Sequence, residues 1–197
     1  KKTFKTKDLY AGFVTSSDST KAYMRAGDLD VNFEGRGYAE HIMQQADVLV
    51  ARMNEQWTTK TIDQEKLKQL LPGVCLKITS GKENPVCNYL SMIQGVSFDR
   101  FVMDIDSSPE SGVNGEAYLY NLTTDSLTID TLGIDLKHGP DGLDFLTEVI
   151  SSPKPEQEAF EVNLDGNIGN GTAQLLLQYL NERKEKGVYL GAKMALG

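Results

Sequence analysis

Between residues 74 and 136 the chain breaks into short segments of mixed apolar and polar residues joined by tight turns. That spacing constrains the fold more than any other feature. Strands so closely spaced pair antiparallel, because a parallel partner needs a crossover of about a dozen residues or more. Strands are expected at 74–79, 86–93, 98–105, 116–122 and 126–136, with Thr123-Thr124-Asp125 as one of the turns. In 126–136 the alternation of Leu127 and Ile129 slips before Leu132, Ile134 and Leu136, which places a bulge near Thr131. Gly139-Pro140-Asp141-Gly142 is a turn, 143–150 is ambiguous between strand and helix, and 151–155 is a loop.

Earlier in the chain, 9–14 reads as a strand closed by Ser16-Ser17-Asp18-Ser19. Leu29, Val31 and Phe33 then alternate at period two beyond a Gly27-Asp28 turn. From Tyr38 the period changes. Ala39, Ile42, Met43, Ala46, Leu49, Val50, Met53 and Trp57 fall on one helical stripe, and Glu40, Gln44, Asp47 and Arg52 turn away. His41 is expected to be solvated, and burial of the stripe predicts a loss of about 2–5 kcal/mol for Leu49→Ala. A shorter helix is expected at 63–71, opened by Thr61 with Gln64 as a capping box and ended by Pro72-Gly73. At the other end, a strand at 159–165 leads to a polar glycine-rich loop at 166–171. A helix over 172–182 and a strand at 188–194 follow.

With 197 residues, 40% of them hydrophobic, the chain is long enough to bury a core without staples. Its net charge of −8 opposes binding to a nucleic acid backbone, and no sequence-specific nucleic acid partner is expected. Basic residues cluster only at Lys1, Lys2, Lys5 and Lys7 and at Arg183, Lys184 and Lys186, the latter read as the basic end of a helix. No apolar run approaches the roughly 20 residues of a membrane span, so no membrane partner is expected, and no segment has the pattern of a secretory leader.

The chemistry-bearing residues are sparse. Asp104 and Asp106 lie on one face at the end of an apolar strand, the way hard oxygen ligands are grouped around magnesium, but a strand running out into a polar Asp-Ser-Ser-Pro loop is the favoured explanation. Only Asp130 and His138 offer themselves as further members of such a site. Cys75 and Cys87 flank a Gly-Lys-Glu-Asn-Pro turn. Folded as a hairpin they would face each other, and a disulfide, two free buried thiols or a metal site all remain open. A disulfide together with the Asn121 and Asn170 sequons would suit an exported protein. The stretch 165–171 has the composition of a calcium loop without its spacing, since the sixth position is Asn170 and the twelfth Leu176. Neither histidine lies in a nucleophile motif. No catalytic residue, cofactor or metal is assigned.

The C-terminal order of strand, glycine-rich loop, helix beginning Thr172-Ala173-Gln174-Leu175, and strand after Gly187 resembles a piece of the tail tube subunits of long-tailed bacteriophages. That likeness implies a β-sandwich or barrel core, an arm that docks on neighbouring subunits, and stacked rings around a DNA channel. The expectation is therefore an α+β fold, mainly an antiparallel β-sandwich or barrel-like core with one long amphipathic helix and two shorter helices. All of 1–197 would form one domain, with an arm at 1–14, a helical segment at 37–71 and a β-rich block at 74–197 that includes a C-terminal helix. Leu9, Tyr10, Phe13 and Val14 are the arm residues that would pack on a neighbour. The expected role is a non-enzymatic structural subunit of a homo-oligomer, a virion tail tube assembled in the host cytoplasm with itself and other structural proteins. An extracellular or periplasmic filament or binding subunit with a Cys75–Cys87 disulfide, and a metal-dependent enzyme using Asp104 and Asp106, are the alternatives.

Overall fold

A computed structural model describes residues 7–124, 127–155 and 157–195. Lys1, Lys2 and Lys5 of the basic leader, Asp125 of the expected turn and Ser126 at the start of an expected strand lie outside the described residues. All the strands form one open sheet in chain order: β1 (Leu9–Thr15), β2 (Ser19–Ala26), β3 (Leu29–Arg36), β4 (Val74–Ser80), β5 (Arg100–Ser108), β6 (Gly112–Thr123), β7 (Thr128–Gly139), β8 (Gly142–Ser151), β9 (Phe160–Gly169), β10 (Thr172–Asn181) and β11 (Lys186–Ala195). Every pairing is antiparallel. The antiparallel expectation is met, but the sandwich or barrel is not: each strand pairs only with its chain neighbours, so β1 and β11 remain free edges and no second sheet lies among the described residues.

Two helical insertions interrupt this meander. Helices α1 (Ala39–Thr59) and α2 (Gln64–Gln69) lie between β3 and β4, and α3 (Pro85–Tyr89), continued by a π-helical turn at Leu90–Gln94, lies between β4 and β5. The expected long helix is present, and His41 is exposed on it. Asp63, not Thr61, caps α2, its carboxylate accepting from the Lys66 N–H at 3.0 Å. The expected strand at 86–93 is helical instead, because Asn84 accepts from the Cys87 N–H as an N-cap and Pro85 at the first position suits a helix start.

The C-terminal helix is also corrected. Residues 172–181 form β10, hydrogen-bonded to β9 on one side and β11 on the other. Gly166 to Gly169 belong to β9 rather than to a loop, and Arg183 and Lys184 occupy the β10–β11 turn rather than a helix end. The ladder between β6 and β7 runs without a register shift through Thr131. The irregularity lies opposite, at Asn121, whose φ of 53° is in the left-handed region.

Full burial concentrates at the strand ends and in the helical segments packed there. The buried apolar residues are Ala26, Leu29, Ile42, Leu71, Cys87 and Ala173. Ile42 of α1 packs on Gly35 of β3, where a Cβ would collide with it. Ala26 and Leu29 flank the β2–β3 turn, which Glu83 and Asn84 cover. Such a fold leaves much surface wet: the accessible area is 12654 Å², against about 9,300 Å² expected for a compact 21.8 kDa chain. Leu49 is only half-buried, so Leu49→Ala should lower stability by about 1–2 kcal/mol, below the range for an enclosed leucine, as read from the urea midpoint.

Part of the acid sensitivity should come from Asp130 of β7. Hydrogen bonds from Ser152 and then Lys154 hold the Asp130 carboxyl below its usual range, tying the β8–β9 connection to the sheet. A depressed carboxyl contributes stability above its unfolded pKa, about 3.9, and loses it as pH falls through the lower folded value. Asp130→Asn should therefore flatten the stability profile below about pH 4, measured as urea midpoints between pH 2 and 7.

Candidate functional site

Register decides what the two faces of this sheet carry. Paired residues point to the same side, and one row across all the strands reads Ala11, Met24, Val31, Ile78, Met103, Ala117, Ile134, Thr147, Leu164, Leu177 and Leu190. The rows on either side of it continue the pattern, with Phe33, Leu76, Ile105, Leu136, Phe145 and Leu175 in one and Leu29, Phe101, Leu119, Leu132, Val149 and Val162 in the other. None of these three rows contains Asp, Glu, Lys or Arg. On the opposite side the central row includes Asn32, Lys77, Asp104, Glu116, Asp135 and Asp165.

At about 4.8 Å per strand the apolar face is about 48 Å wide, and its three rows span roughly 14 Å along the strands. Its central side chains, such as Val31, Ile78, Met103, Ile134 and Leu164, are half-buried by one another but not enclosed. Glycines tune its surface. A Cβ on Gly166 would run into the Phe145 ring, so that ring lies across the glycine and fills the row from the neighbouring strand.

Helices rim this face at the strand ends. At about 1.5 Å per residue α1 is about 32 Å long, enough to cross from β3 to β9 at the strand spacing. It starts beside β1 and β3, where the Ala39 N–H donates to Thr15 Oγ1 at 3.0 Å. Its far end is tied through Gln56 and Asp63 to α2, and α2 is fixed to the β9–β10 turn by Gln64 N–H to Asn170 Oδ1 at 2.7 Å and Gly171 N–H to the Ile62 carbonyl at 2.9 Å. Between these helices and the last row of the apolar face lies a cavity of about 320 Å³. Leu49, Met53 and Trp57 of α1 and Leu67 of α2 roof it, and Val113, His138, Leu143 and Ile168 form its floor. Burial, followed by the charge of Lys68, keeps the His138 pKa below its ordinary value and favours the neutral imidazole. At the opposite strand ends, Asn84 donates to Asp28, Ser80 and Gly81 and holds α3 on the β2–β3 turn.

The residues singled out from sequence fall elsewhere. Asp104 and Asp106 do share a face, but in the middle of β5 and on the polar side, not at a strand end. Asp104 pairs with Lys77 at 2.8 Å, and the third donor within 4.8 Å is Cys75. Burial, then Asp106, pushes that thiol up, which disfavours the thiolate a metal needs. Asp130 and His138 fall on the other side of the sheet by register, so they cannot join the pair. Cys75 and Cys87 are free. Cys87 lies in α3 with its thiol donating to the Gly81 carbonyl at 3.0 Å, because the hairpin that would have opposed the two cysteines does not form.

Leu9, Tyr10, Phe13 and Val14 pair along β2 as the edge strand β1. They are 61–69% exposed, with Leu9 and Phe13 on the apolar side and Tyr10 and Val14 on the other. Sequence reasoning missed the apolar face as a site. Its signal, alternation in nearly every strand, was legible, but not the register that aligns the strands. No protein-family model matches this chain, and neither a curated protein nor a solved structure is significantly similar to it.

Proposed function

We propose that this chain is a non-enzymatic carrier of hydrocarbon, holding the acyl chains of an amphiphilic lipid against the uncovered face of its sheet. The observation that carries this reading is the register: three neighbouring rows across every strand hold no charged residue, and no described segment of the chain covers their centre. The roughly 14 Å depth of the apolar band suits an acyl chain, since one leaflet of a bilayer's hydrocarbon core is about 15 Å thick. Burial of apolar surface supplies the affinity, at about 25 cal/mol per Å² before the loss of ligand freedom.

A second sheet is a poorer occupant. Stacked sheets pack about 10 Å apart, and a helix with its side chains is about as thick, so α1 and α3 at the rims obstruct a flat partner while leaving room for slender chains.

A second reading, the structural subunit of a homo-oligomer such as a tail tube, is favoured by the free edges. Leu9, Phe13, Val188 and Leu190 are exposed on β1 and β11, and such edges extend by pairing with another strand. The helix on which the likeness to tail tubes rests is, however, β10.

Titration with a tail-labelled fluorescent phospholipid, alongside light scattering, separates the two. Saturable binding by a monomer supports the carrier. Rings or filaments without binding overturn it in favour of assembly.

A further inference from the structure

The cavity beneath α1 and α2 brings a cation to one end of the apolar face. Lys68, on the inner side of α2, lines it and is only half-buried, whereas Lys66 on the same helix is exposed and pairs with Asp63 at 2.8 Å. Lys68 makes no ion pair among the described residues, and no carboxylate lines the cavity beside it. Its companion is His138, placed in the last apolar row by the β7–β8 register and close enough for the lysine charge to act on the ring. Glu65 and Asp144 also act on His138 from outside the cavity, without lining it. An ammonium at the mouth of an apolar chamber calls for an anion whose remainder is hydrocarbon, because a desolvated carboxylate is stable only when paired and hydrogen-bonded.

We propose that this cavity binds the carboxylate end of a fatty acid, with Lys68 as its counter-ion, His138 as a hydrogen-bonding neighbour, and the tail lying along the apolar face from Leu143 toward Phe145. This rests on the carrier reading and narrows it to a single-chain anionic amphiphile seated at one end of the sheet. A lone carboxylate matches the site in size and charge, since one ammonium neutralises it and the remaining lining is almost wholly aliphatic or aromatic.

The test compares cis-parinaric acid, a fluorescent fatty acid, with its methyl ester at pH 7.5 on the intact chain. The acid should bind at least tenfold tighter than the ester. Lys68→Met, which keeps the aliphatic stem, should erase that preference and leave the affinity for the ester unchanged, whereas Lys66→Met should change neither. Equal binding of acid and ester by the unaltered protein overturns the carboxylate site while leaving the carrier reading intact. A preference that survives Lys68→Met also overturns it. Failure of both probes to bind removes the carrier reading and this site together. Matching circular dichroism spectra and urea midpoints for the two variants ensure that a lost preference is not a lost fold.

Discussion

Leu164→Asp should abolish acyl-chain binding while leaving the chain folded. Leu164 lies in the central apolar row, between Thr147 of β8 and Leu177 of β10 and two strands in from the free edge β11. An acyl chain lying across that row would bury the new carboxylate without a partner, which costs several kcal/mol and corresponds to at least a hundredfold loss of affinity. In the ligand-free protein the same carboxylate reaches water, because Leu164 is half-buried rather than enclosed. The matched control is Asn163→Asp, one residue away and on the polar face, where Asn163 already bonds Glu161 at 2.8 Å. Binding is measured with the tail-labelled phospholipid, and folding by circular dichroism and urea midpoint. If Leu164→Asp binds within twofold of the unaltered protein, hydrocarbon does not lie on this face.

The largest loss of stability should follow Asn84→Ala. Asn84 is 1% exposed, and its amide group is fully used. The nitrogen donates to Asp28 Oδ1 at 2.8 Å and to Ser80 Oγ and the Gly81 carbonyl at 3.0 Å, and the oxygen accepts from the Cys87 N–H at 3.0 Å. Truncation removes the cap of α3, leaves the buried Cys87 N–H without its acceptor, and takes one donor each from Asp28, Ser80 and the Gly81 carbonyl. The expected loss is about 2–4 kcal/mol, read from the urea midpoint. Asp28 should change with it. Its carboxyl is held below the usual range, where hydrogen bonds from Asn84 and the Glu83 N–H outweigh the opposing effect of burial. A midpoint shift equivalent to less than about 0.5 kcal/mol would show that water replaces the network and that α3 is only loosely held.

Local pattern carried a good part of this architecture. Leu29, Val31 and Phe33 alternate because one side of β3 is apolar and the other wet, and the stripe from Ile42 to Trp57 repeats at helical spacing, so both elements were legible without coordinates. The misread elements have identifiable causes. Residues 172–181 combine Ala, Gln and a run of leucines, all favourable in helices, and Leu176 and Leu180 fall on the polar side where a strict strand pattern would have placed polar residues. The ladders to β9 and β11 satisfy the backbone on both sides and override that preference. Residues 85–94 contain Val, Tyr, Leu and Ile suited to a strand, but the Asn84 cap and Pro85 start a helix there.

Two conclusions belong to the tertiary structure alone. Alternation fixes that each strand has an apolar side but not which rows line up, and a shift of one residue in any pairing would turn every later apolar side to the opposite face. Nor does it fix whether anything lies on that side, since a strand covered by a second layer and one left open to a ligand share the same pattern. By itself the sequence determined an antiparallel, β-dominated chain with one long helix. Only the three-dimensional pairing, which aligns Ile78, Met103, Ile134 and Leu164 on one face, and the placement of the helices at its rims turned that chain into an open apolar surface.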